Sequence, residues 1–155
     1  MSLKESNRNG AVLSFGSNED GQCGVKKSNQ VSIHFPLLVQ FPCKVSISAI
    51  SAGSRHSLAL SNDGRVFSWG WGMLGQLGTY SYFFFSHYAL IIFITLRHYV
   101  LGHGNAISVD SPQQIDSVRD IVKISAGGTH SACLDKHGNG FTFGSTSYGQ
   151  LGLGV

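Results

Sequence analysis

Charge is what this chain has least of. Only 12% of its residues are Asp, Glu, Lys or Arg, about half the share of an ordinary soluble domain. The 11 basic and 8 acidic residues are scattered, with no run of Lys or Arg to follow a phosphate backbone, so nucleic-acid binding has no support. Cysteine is scarce and odd in number: Cys23, Cys43 and Cys133 lack any Cys-x-x-Cys spacing. The opening MSLKESNRNG has no apolar signal-peptide core, so the cysteines read as reduced thiols of a cytosolic or nuclear protein. The 7 His offer no pair at ligand spacing on a plausible helix, which excludes an expected zinc site. Helical periodicity is absent from every segment that recurs, as the repeat shows next.

What the chain has is an internal repeat. ISAGSRHSLALSNDGRVFSWGWGMLGQLG, from Ile50 to Gly78, aligns without a gap on ISAGGTHSACLDKHGNGFTFGSTSYGQLG, from Ile124 to Gly152, at an offset of 74 residues. His56 falls on His130, Ser57 on Ser131, Leu60 on Leu134 and Phe67 on Phe141. A half copy opens the chain: VLSFGSNEDGQCG, from Val12 to Gly24, matches VFSWGWGMLGQLG from Val66 to Gly78 at an offset of 54. Each unit reads as short strands. HSLAL and RVFSW are joined through Asn62, Asp63 and Gly64, where Asp-Gly supplies the positive φ of a tight hairpin, and HSACL and GFTF repeat that hairpin. VSISAISA and RDIVKISA supply a further strand before each. Three or four short antiparallel strands per unit are the pattern of a propeller blade.

The combination of AGSRHSLAL or AGGTHSACL, then VFSWG or FTFG, then Gly-Gln-Leu-Gly resembles the repeat of the regulator of chromosome condensation family. The resemblance runs from Val12 to Gly154 apart from one apolar block. It implies an all-β fold of roughly fifty-residue repeats, stacked about seven to a β-propeller. Here that means a partial propeller of roughly two and a half four-stranded blades, interrupted by an apolar insert at 79–102. The expected organisation is a disordered 1–10, repeats over 11–78, the insert over 79–102 and a final repeat over 103–155.

The insert is betrayed by arithmetic. Deleting Thr79 to Gly102, 24 residues, joins GMLGQLG to HGNAISVDSPQQI and brings the offset of 74 to 50, in line with its neighbour of 54. One reading makes it a translated intron, since Phe, Tyr, Ile and Leu are what AT-rich and pyrimidine-rich sequence encodes, and codons compatible with Gly78-Thr79 and Leu101-Gly102 allow GT and AG ends in one phase. A second makes it a family insertion forming a loop or buried helix, against the usual polarity of loops. A third makes Tyr80 to Leu96 a membrane span, but Ser81, Ser86 and His87 lie inside it and it would separate two blades of one ring.

Apparent chemical motifs dissolve on inspection. GWGMLG, Gly70 to Gly75, satisfies G-x-G-x-x-G, yet no helix and no acidic residue about 20 positions on follow it, so it reads as a turn. His56 and His130 each precede a Ser, but adjacent strand residues point to opposite faces and cannot form a nucleophile and base. A structural role is expected, with a ring nitrogen tying the strand to a neighbouring turn. Phe15, Trp69 and Phe143 share one repeat position and are expected to fill the core between blades. No catalytic residue, metal ligand or cofactor-binding residue is expected, and the protein is not expected to be an enzyme. The tryptophans on which the family's ultraviolet photoreceptor depends, in a Gly-Trp-Arg-His-Thr type motif, are absent from the corresponding GSRHS and GGTHS. The resemblance implies a protein-protein interaction module that displays the loops Lys26 to Gln40 and Asn105 to Ser117, alternatively part of an exchange factor for a small Ran-like GTPase. Open blade faces lead to the further expectation that this chain alone is poorly soluble or marginally folded.

Overall fold

A computed structural model describes residues 10–25, 30–74, 76–77, 82–84 and 108–152. Every regular element among them is a strand, arranged in three antiparallel sheets. The first sheet pairs β1 (Leu13–Ser17) with β2 (Ser32–Leu38). The second has the order β3 (Ile47–Ala52), β4 (His56–Ser61), β5 (Val66–Gly70) and β7 (Val109–Gln114). The third runs β8 (Ile121–Ala126), β9 (His130–Asp135), β10 (Gly140–Gly144) and then β6 (Tyr82–Phe84). The sheets are successive blades, the first being the outer half of one, and the strands predicted from VSISAISA, HSLAL, RVFSW, RDIVKISA, HSACL and GFTF are all present.

The hairpin turns form as their residues dictate. Gly64 and Gly138 hold φ of 79° and 87°, the left-handed conformation that any side chain would strain. Each turn is tied by the last residue of the preceding strand: the Arg65 amide donates to Ser61 Oγ at 2.9 Å, and one repeat later the Asn139 amide donates to Asp135 Oδ1 at 2.9 Å.

Apolar residues of facing sheets meet in two clusters, which are the core. Val12 and Val39 of the first blade pack with Ala59, Phe67 and Trp69 of the second. Phe41 meets the Phe67 and Trp69 rings edge-on, with centroids 5.3 and 6.0 Å apart, a favoured aromatic geometry. Leu60, Val66 and Ile115 of the second blade pack in turn against Ile121, Cys133, Phe141 and Phe143 of the third. The second and third blades thus each bury a central aromatic pair against the blade before them.

That rule corrects one expectation. Trp69 and Phe143 are 2% and 1% exposed, whereas Phe15 at the same repeat position is 68% exposed. No blade among the described residues precedes β1, so Phe15 has nothing to pack on. The two expected loops are corrected as well. Lys26 to Gln40 contains β2 and Asn105 to Ser117 contains β7, because each supplies the outer strand whose backbone pairs with β1 or β5. Of the apolar insert at 79–102 only Tyr82–Phe84 is described; the rest, like residues 1–9 of the expected disordered start, lies outside the described residues. No helix among the described residues is long and apolar enough to cross a membrane.

Candidate protein-interaction face

The Gly-Gln turns that close each copy are built identically from backbone upward. The Gln22 side chain accepts the Asp20 amide at 2.9 Å, Gln76 that of Leu74 at 3.1 Å and Gln150 that of Tyr148 at 2.7 Å. A hydroxyl from the central strand holds the next residue: Ser68 Oγ donates to the Leu77 carbonyl at 2.6 Å, Thr142 Oγ1 to Leu151 at 3.0 Å, and Ser14 Oγ to Cys23. These bonds satisfy backbone groups that a turn otherwise leaves to water. The turn tip is therefore rigid while the residues on it are free to differ. One tip position holds Asp20, Leu74 and Tyr148 in the three copies.

Neighbouring blades are latched at these turns. Ser57 Oγ donates to the Gln22 carbonyl at 2.9 Å, and one repeat later Ser131 Oγ donates to the Gln76 carbonyl at 2.7 Å. The Trp69 indole N–H also reaches the Gln22 carbonyl, at 2.9 Å. His56 completes the second latch, its Nε2 lying 2.9 Å from Ser131 Oγ. A hydroxyl carries one proton, and Ser131 directs it to the Gln76 carbonyl, which can only accept. His56 Nε2 must then be the protonated nitrogen, donating to Ser131. An imidazole in that tautomer has no lone pair at Nε2 to take the Ser131 proton. Burial, aided by the nearby His130, lowers the His56 pKa to about 4.

His56 is structural as expected, but its ring nitrogen bonds Ser131 on β9 of the next blade rather than a turn, and it is Ser131 that reaches the Gln76 turn. Ser57 points to the Gln22 turn, and the hydroxyl that reaches His56 belongs to the next repeat. The recurrence of His-Ser one repeat on was the signal that could have found it. The ring also explains the glycine three residues ahead of each His: a Cβ at Gly53 would lie 2.5 Å from His56 Cε1, and one at Gly127 2.3 Å from His130 Cε1.

The turn tips carry exposed apolar side chains. Met73, Leu74 and Tyr148 are 58%, 38% and 93% exposed. Beside them Arg55 holds Asp20 through Nε and Nη2, at 2.6 and 3.1 Å, with its guanidinium 5.0 Å from the Trp71 ring centroid. Apolar and aromatic side chains on the turns and an ion pair at the first of them are a chemistry suited to protein surfaces. All three cysteines are free; burial raises the Cys23 thiol and pushes that of Cys133 up to about 12. No group of three or more metal-ligating side chains occurs among the described residues.

Comparisons with known proteins agree with this architecture. The profile of the regulator of chromosome condensation (RCC1) repeat matches residues 9–60 and 97–134, and a second profile of that repeat matches 47–76. The human E3 ubiquitin-protein ligase HERC2 is 33% identical over 147 residues, 92% of this chain and 2% of its own length. The ultraviolet-B receptor UVR8 of Arabidopsis thaliana is 29% identical over 148 residues, 94% of this chain and 28% of its own. The crystal structure of Prp20p from Saccharomyces cerevisiae, described with its binding to Gsp1p and histones, superposes with a TM-score of 0.73 at 28% identity, covering 94% of this chain and 31% of that one. The chain spans less than a third of each of these relatives.

Proposed function

This chain belongs to the regulator of chromosome condensation (RCC1) repeat family, and from that premise we propose that it binds a protein partner with the Gly-Gln turn tips of its propeller blades. The observation that carries the reading is the threefold turn: Gln22, Gln76 and Gln150 lock the same backbone while Asp20, Leu74 and Tyr148 vary at its tip. Rigid scaffolds with variable tips lose little entropy on binding, which favours recognition. The buried His56–Ser131 contact supports a structural latch rather than a nucleophile and its base. A cytoplasmic or nuclear setting suits its reduced thiols.

A second reading has one observation behind it. The yeast structure that this chain resembles is described with binding to Gsp1p, and the alternative function is therefore nucleotide exchange on a Ran-like GTPase. Binding should fall at least about tenfold on Tyr148→Ala with Met73→Ala, as for aromatic and Met anchors at interfaces, with the unfolding midpoint unchanged. The measurement is capture of partners from cell extract by the intact protein and by the double variant, followed by titration with the partner identified. Partner binding that the double variant retains in full refutes the tip assignment. Acceleration of labelled GDP release from small GTPases by catalytic amounts of the protein establishes the alternative.

A further inference from the structure

The outer edge of the third blade is filled from the wrong side of the chain. In the first two blades the outer strand follows its neighbour in sequence, β2 after β1 and β7 after β5. The outer partner of β10 is instead β6, Tyr82–Phe84, which precedes it and lies within the apolar block.

The three registers nevertheless coincide. Leu13 pairs with Leu38 and Ser14 with Leu37; Phe67 pairs with Gln114 and Ser68 with Gln113; Phe141 pairs with Phe83 and Thr142 with Tyr82. The next position continues the equivalence. The Val39 amide donates to the Val12 carbonyl at 2.9 Å and the Ile115 amide to the Val66 carbonyl at 2.8 Å, and the matching pair in the third blade is Gly140 with Phe84.

We propose that the apolar block carries a strand donor, Tyr82–Phe84, which completes the third blade in cis by taking the β10 edge at the register where the first two blades place their outer strands. An open edge presents unpaired N–H and C=O groups that any extended segment can satisfy. Such pairing is made by main chain, which is why a segment without the repeat motif can serve. Alternation along the strand aims the Gly140 and Thr142 amides at this edge. The same edge is then a docking site for an extended peptide of outer-strand register, open only when β6 leaves it. The inference concerns the protein that contains the block and does not rest on the turn-tip reading.

Hydrogen exchange on the full chain tests it. The Gly140 and Thr142 amides should be protected, and Phe84→Pro, which removes one donor of the pairing, should speed their exchange by at least about tenfold, leaving Leu58 and Ala59 unchanged. A synthetic peptide of residues 108–116 should restore protection in the variant and should not bind the unaltered chain. Free exchange of Gly140 and Thr142 in the unaltered chain, unchanged rates in the variant, or a peptide that binds both chains equally or neither overturns the proposal. Should Phe84→Pro unfold the blade, Tyr82→Cys with Thr142→Cys in a Cys43→Ser background decides instead. A short bifunctional thiol reagent should join the two within one molecule, whereas a cross-linked dimer or no link refutes donation in cis.

Discussion

His56 shows how a single buried side chain sets a pH limit on the fold. Its imidazole is 0% exposed, bonded to Ser131 through Nε2 and pressed against Gly53. The native pKa of about 4 lies below the ordinary value of 6.5, so between those limits the unfolded chain binds a proton that the native chain does not. Stability is therefore complete above about pH 6.5 and lost as pH falls toward 4, by about 3 kcal/mol from this group. Urea denaturation between about pH 7 and pH 4.5 should show that loss, and His56→Gln should flatten the profile while lowering stability at neutral pH. An unaltered slope in the variant disproves the assignment. That the histidine is structural was readable from its recurrence at one repeat position. That Ser131 rather than Ser57 reaches it was not, because the contact spans 75 residues and depends on how two blades stack.

Hairpins are the elements most plainly written in the chain, yet equal hairpins are not equally sensitive. Gly64 and Gly138 occupy one repeat position with nearly equal φ, but a Cβ at Gly64 would lie 3.0 Å from Asp120 Cα of the next blade, while one at Gly138 meets nothing within 4 Å. Gly138→Ala should cost only the backbone penalty, about 1–2 kcal/mol. Gly64→Ala should cost about 1–3 kcal/mol more, because it also pushes on the neighbouring blade. Chemical denaturation of the two variants side by side checks this, and equal losses would show that the blades do not touch there. Outer strands were harder to foresee. SIHFPLL and VDSPQQ do not alternate and share only a proline three residues before an aliphatic residue, Pro36 before Val39 and Pro112 before Ile115, since edge strands are held by backbone pairing and tolerate varied side chains, a proline included. For the same reason Tyr82–Phe84 gave no sign of its place in the third blade.

Across the whole molecule, one repeat position records which blade faces are covered. Trp69 and Phe143 lie in clusters between blades, while Phe15 and Leu13 are 68% and 55% exposed and Phe35 on the adjacent strand is 79% exposed. Exposed aromatics of this extent mark a surface built for contact. Phe15→Ser should leave the unfolding free energy within about 0.5 kcal/mol of the parent and raise solubility. Phe143→Ser should destabilise by about 3–5 kcal/mol. Sedimentation and denaturation of the two variants test the contrast; a large loss from Phe15→Ser would show that this face is already covered in solution.

Repeat length, hairpin positions, the glycines of the turns and the repeat position that supplies core aromatics were determined by the sequence itself. Each is a local matter: strand alternation, a required positive φ or a residue type recurring at fixed spacing. Tertiary structure alone decided which copy's serine meets His56, which of three equivalent aromatics stays wet, and which segment closes β10. Those outcomes turn on contacts between blades and on main-chain pairing at an edge, where neighbours distant in the chain, rather than the residue's own type, set the energy.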